Sequence, residues 1–194
     1  MRTHIANLGG EARRDRLPEI ELKTLDGGTL SLPRDSAGKL TLLVFVEPSA
    51  GPNAEFPLND DEEGKVKKGG TAATAWERVG LLSHACVLAE RHVNKDLNTI
   101  VAVLSDDADR IAAVMKAREF TCQATMVPGG LANPMVRRLG ILSADLTPNF
   151  FLIRRDGSIA WQATGVPHVD AGEFASMLAS KVQIEVCELE HAYQ

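Results

Sequence analysis

The sequence has 194 residues, 44% hydrophobic and 24% charged, the make-up of a single globular domain with a sizeable core. Its net charge of -5 comes without any Lys/Arg stripe, since Lys67-Lys68 and Arg137-Arg138 are only pairs, which argues against nucleic acid. No apolar run nears the ~20 residues of a membrane helix, so no membrane insertion is expected.

The N-terminus, Met1 to Asn7, has no apolar signal-peptide core. Two expectations stay open: a cytoplasmic protein, or the mature or excised part of an exported one. From Ile20 to Leu32 apolar residues alternate around Asp26-Gly27-Gly28, and Asp-Gly supplies the positive φ of a tight hairpin turn. Leu40 to Val46 is a nearly continuous apolar run, the pattern of a strand covered on both faces. Residues 47–53 read as a turn. Residues 58–70, acidic and then basic with a glycine end, read as a surface loop.

Thr74 and Glu77 form a capping box for a helix over 74–93, where Trp76, Val79, Leu82, Ala85, Cys86, Ala89 and Val93 share one face. Residues 99–104 predict a second buried strand, and Ser105-Asp106-Asp107 cap a helix over 108–119 with Ile111, Val114 and Met115 inward. A short strand over 121–127 is broken by Pro128-Gly129-Gly130, and a short helix from Pro134 ends at Gly140. Phe150 to Ile153, the Asp156-Gly157 turn and Ile159 to Ala163 make an antiparallel hairpin. A last helix is predicted from Asp170 to about Lys181, followed by a tail.

Cys86, Cys122 and Cys187 are far apart and odd in number, with no Cys-x-x-Cys and no Cys/His cluster. Neither a disulfide framework nor a zinc site is therefore expected, and no cofactor is implied. The five histidines are scattered; His84 and His92 share a predicted helix but lie too far apart along it to share a metal.

Four stretches together resemble the thioredoxin superfamily, in the branch of TlpA-like thiol oxidoreductases and peroxiredoxin-like (AhpC/TSA, redoxin) proteins. Leu17-Pro18 with Leu25-Asp26-Gly27 and Leu30-Ser31-Leu32 is similar to its opening hairpin. Gly38-Lys39 leading into Leu42-Leu43-Val44-Phe45 is similar to its first central strand. Thr147-Pro148-Asn149-Phe150-Phe151 resembles the strand that begins at a cis-proline, and Arg155-Asp156-Gly157-Ser158-Ile159 its following hairpin. The resemblance implies an α/β, thioredoxin-like three-layer sandwich: a mixed central sheet flanked by helices, with an N-terminal β-hairpin extension. The expected division is an extension over 1–16, the domain over 17–182 with its 58–70 insertion, and a tail over 183–194.

The same resemblance implies Trp-Cys-Gly-Pro-Cys after the first central strand. Here that place holds Ser49-Ala50-Gly51-Pro52-Asn53, with Glu55-x-Pro57 kept just downstream. Exchange chemistry needs a thiolate at a helix N-terminus and a second thiol to resolve the mixed disulfide. Ala50 offers no nucleophile and Asn53 cannot attack sulfur. The peroxiredoxin pattern Pro-x-x-x-Thr/Ser-x-x-Cys fails too, because positions 52 and 55 are Pro52 and Glu55.

A degenerate active-site turn within a kept scaffold is the expectation, with no catalytic residue at positions 49–53. A relocated cysteine is the enzymatic alternative, Cys122 before Cys86; the competing reading makes Cys86 a small buried hydrophobe and Cys122 structural. Thr147 and Pro148 would face the turn and present an edge to a protein or extended peptide partner by strand addition, unless Pro148 only fixes a turn. A purely structural domain is the third reading. Trp76 and Trp161 read as packing residues, and the 58–70 loop as disordered, a cover for the turn, or a partner surface.

Overall fold

The computed structural model describes residues 16–47, 97–117, 122–142, 148–163 and 171–191. The chain enters through an isolated bridge between Arg16 and Ser158, and the Leu17 N–H donates to the Gly157 carbonyl at 3.0 Å. Strands β1 (Ile20–Thr24) and β2 (Thr29–Leu32) pair antiparallel, Ile20 opposite Leu32. Gly27 takes φ 90° at the turn, the conformation that Asp-Gly predicts.

Strand β3 (Leu40–Val46) is buried throughout and pairs in parallel with β4 (Leu97–Val103), from Leu40 opposite Leu97 to Val46 opposite Val103. Helix α1 (Ala108–Ala117) then carries the chain to β5 (Gln123–Met126), parallel to β4. Helix α2 (Pro134–Arg138) starts with Pro at its first turn and Asn133 as cap, whose Oδ1 accepts from the Met135 N–H at 2.9 Å. Strand β6 (Asn149–Ile153) lies antiparallel to β3, and β7 (Ile159–Ala163) antiparallel to β6. Helix α3 (Ala171–His191) closes the described fold.

The sheet order is β2-β1-β5-β4-β3-β6-β7. Because side chains alternate along a strand, β3 feeds two cores at once. Leu40, Leu42, Val44 and Val46 pack with Ile111 of α1 and with Leu178, Val182 and Val186 of α3. Leu43 and Phe45 pack on the other face with Val136 of α2 and with Leu22 and Leu32 of the hairpin. Helices on both faces of a mixed sheet give the three layers expected from the sequence.

Two expectations need correction. The last helix does not end near Lys181: it continues to His191, and Glu185 and Val186 are buried, so the supposed tail from 183 is in part core. Cys187 therefore sits on a helix, half-buried and free. The second change is small: β4 begins at Leu97, two residues before its predicted start, because Leu97 pairs with Leu40. Half-buried Trp161 packs against the first core, as a packing residue should. The predicted helix over 74–93, the 58–70 loop and Trp76 lie outside the described residues.

Candidate functional site

The parallel strands β3, β4 and β5 end together at one pole of the sheet, where open α/β sheets hold their ligands. Val46, Val103 and Met126 lie level across the three strands. Two backbone bonds lock this rim: the Leu104 N–H donates to the Val46 carbonyl at 2.8 Å, and the Val127 N–H to the Val103 carbonyl at 2.9 Å. Strand β6 runs the other way, so its first residue arrives at the same pole. Asn149 is opposite Phe45, which places buried Pro148 one step further, beside the end of β3.

The register therefore sets Pro148 level with Val46, the last residue of β3. Residues 49–53, Thr147 and Cys86 lie outside the described residues, and so does the peptide bond between Thr147 and Pro148. The cis peptide among the described residues is Leu32-Pro33.

One residue at this pole was missed by motif reading. Glu47 ends the apolar run of β3 and is only 8% exposed, and it is not without a partner. A carboxylate is costly to bury unless its oxygens are engaged, so its position directly before the 49–53 segment is unusual. The signal was present as a lone charge after seven buried residues. The Pro128-Gly129-Gly130 turn borders the rim from the β5 side. Gly130 has φ 50°, and a Cβ there would lie 3.0 Å from the Leu104 carbonyl oxygen.

Cys122 is elsewhere. Gln123 pairs with Ile100, so Cys122 stands at the start of β5, four residues back from Met126 at the rim. At about 3.3 Å per residue this puts it ~13 Å from the rim along the strand direction. It is 9% exposed, belongs to the core that holds Ile111 and Leu178, and is disulfide-bonded. The expectation of a chain without a disulfide is corrected: widely spaced cysteines gave no pattern to read. Among the described residues no group of His, Cys, Asp and Glu could hold a metal, and no helix is long and apolar enough to cross a membrane.

No protein-family model matches the chain, and no curated protein matches its sequence. Solved structures do share its fold. One, proposed to be the thiol:disulfide interchange protein DsbE of Chlorobium tepidum, is 14% identical, with TM-score 0.61 over 91% of this chain and 99% of that one. A second, proposed to be a protein disulfide isomerase of Bacteroides thetaiotaomicron, is 17% identical, with TM-score 0.62 over 93% of each. The thioredoxin domain of a thiol-disulfide oxidoreductase from Bacteroides vulgatus is 13% identical, with TM-score 0.57 over 88% of this chain and 99% of that domain. The chain therefore shares the thioredoxin-like fold of these solved structures.

Proposed function

We propose that this chain uses the thioredoxin scaffold to bind a protein or extended peptide at the carboxyl pole of the sheet, without dithiol exchange through positions 50 and 53. One observation carries the reading. The segment after β3, where this fold places its redox pair, reads Ser49-Ala50-Gly51-Pro52-Asn53 and holds no thiol. Pro148 beside the end of β3 supports a groove in which backbone amides can pair with an extended chain.

A second reading, thiol-disulfide chemistry through Cys122 and Cys86, has one observation in its favour: Cys122 is disulfide-bonded. Its burial and its distance from the rim weigh against it. The names of the structural neighbours describe redox proteins, but a fold does not transfer an activity.

Reduction of insulin by a dithiol distinguishes the two. The chain as it stands is expected to give no acceleration, whereas the double variant Ala50→Cys with Asn53→Cys gains activity by restoring the pair. Acceleration by the unaltered chain that disappears in Cys122→Ala overturns the binding reading. A fluorescent, cysteine-free unfolded polypeptide is the binding probe. Saturable binding weakened several-fold by Pro148→Ala is expected, and no saturable binding leaves only a structural domain.

A further inference from the structure

We propose that Cys122 is cross-linked to Cys86, and that this bond is a buried structural staple rather than an exchange-active pair. The partner follows by elimination. Cys122 is disulfide-bonded, Cys187 is free, and Cys86 is the only other cysteine in the chain.

The role follows from where Cys122 sits. Exchange begins when an external thiolate attacks one sulfur and displaces the other, which demands access and a stabilised thiolate. Cys122 is 9% exposed and packs in the apolar core with Val101, Ile111 and Leu178. Its neighbour across the ladder is Thr99, since Ile100 pairs with Gln123. Thr99 is 4% exposed, so the ladder position opposite Cys122 is closed off from bulk solvent. Desolvation disfavours a thiolate at Cys122, and a protein partner cannot bring its own thiolate to the Cys122 sulfur enclosed in this way.

Forming the staple takes two electrons and two protons from two thiols. A disulfide oxidant such as glutathione disulfide accepts them and becomes two thiols; a dithiol reductant reverses the change. A bond between these two cysteines closes a loop that spans 86 to 122. Such bonds persist in oxidising compartments, which is where the staple would hold.

The test uses the full chain equilibrated in an oxidising glutathione buffer, quenched in acid, denatured and alkylated. One alkyl group, on Cys187, and a linked peptide pair containing Cys86 and Cys122 are expected. Three alkyl groups, or any link through Cys187, overturns the assignment. Reduction by a small dithiol should be on the order of a hundred-fold slower in the native protein than in denaturant. Equal rates identify an exchange-active pair and overturn the structural role. Reduction of the wild type should lower Tm by roughly 10 °C, and Cys86→Ser and Cys122→Ser should each reproduce the loss. An unchanged Tm overturns the staple, and the mapping on wild-type chain decides the pairing even where the variants do not fold.

Discussion

Arg154 and Glu185, 31 residues apart in sequence, meet in a two-pronged ion pair, Nε to Oε2 and Nη2 to Oε1, each at 2.8 Å. The pair ties the residue after β6 to the fourth turn of α3. The Arg154 side chain is 32% exposed and that of Glu185 11%, so most of the interaction is shielded from solvent. Removing one partner leaves the other desolvated and without its fork. Glu185→Ala should therefore cost about 1–3 kcal/mol in urea unfolding. Ending the chain after Val182 should cost more, because it removes Val186 from the core as well. A truncated chain as stable as the full one sinks this account of α3.

This pair also shows where sequence reading stops. The hairpin, the buried run of β3 and the Asn133 cap were legible because local rules fix them: alternation, turn glycines and capping side chains. Glu185 read as tail because α3 gains its last turns from tertiary contacts, Val186 in the core and the Arg154 fork, which no local pattern displays. The candidate site was half legible. Pro148 was singled out by motif order. Glu47 and the Cys122 disulfide were not, since burial of a lone carboxylate and pairing of distant cysteines are properties of the folded chain.

Phe45 and Phe151 pack edge to face, ring centroids 5.8 Å apart, on adjacent antiparallel strands in the core beside α2. Both are fully buried. Phe45→Ala should destabilise by about 3–5 kcal/mol, and Phe45→Leu by clearly less, because leucine refills part of the cavity. Denaturant midpoints with an unchanged slope are the readout. Equal costs for the two variants would show that ring packing, not volume, dominates here.

Gly130→Ala tests the wall of the candidate groove. The position combines φ 50° with a Cβ that would meet the Leu104 carbonyl oxygen at 3.0 Å, and backbone cannot move aside as a side chain can. A loss of about 1–2 kcal/mol is expected from the left-handed conformation alone. Gly140→Ala is the control, since φ is 82° there but nothing lies within 4 Å of the added carbon. The larger loss should fall on Gly130, and its amide shifts should spread to Leu104 and Val127. Equal losses would mean that the contact with Leu104 carries no cost.

Asp156 gives the fold an acid-sensitive turn. Its carboxylate accepts from the Ser158 hydroxyl at 2.6 Å and from the Ser158 N–H at 2.9 Å, with Arg16 and Arg154 adding positive charge nearby. The hydrogen bonds to Ser158, the largest influence, hold its pKa below the ordinary 3.8. A carboxyl whose folded pKa is depressed binds its proton more readily in the unfolded chain. Its stabilising contribution is thus fully present above pH ~4 and fades as pH falls through the folded value. Asp26 and Asp35 behave alike, the first through Thr24 and Gly28, the second through Ser31 and Arg34. Asp156→Asn should lower stability at neutral pH while flattening the acid limb of the stability curve below pH ~4. Because Asp156 is exposed, the change should be small and should shrink with added salt. An acid limb as steep in Asp156→Asn as in the unaltered chain would assign the loss to the other carboxylates.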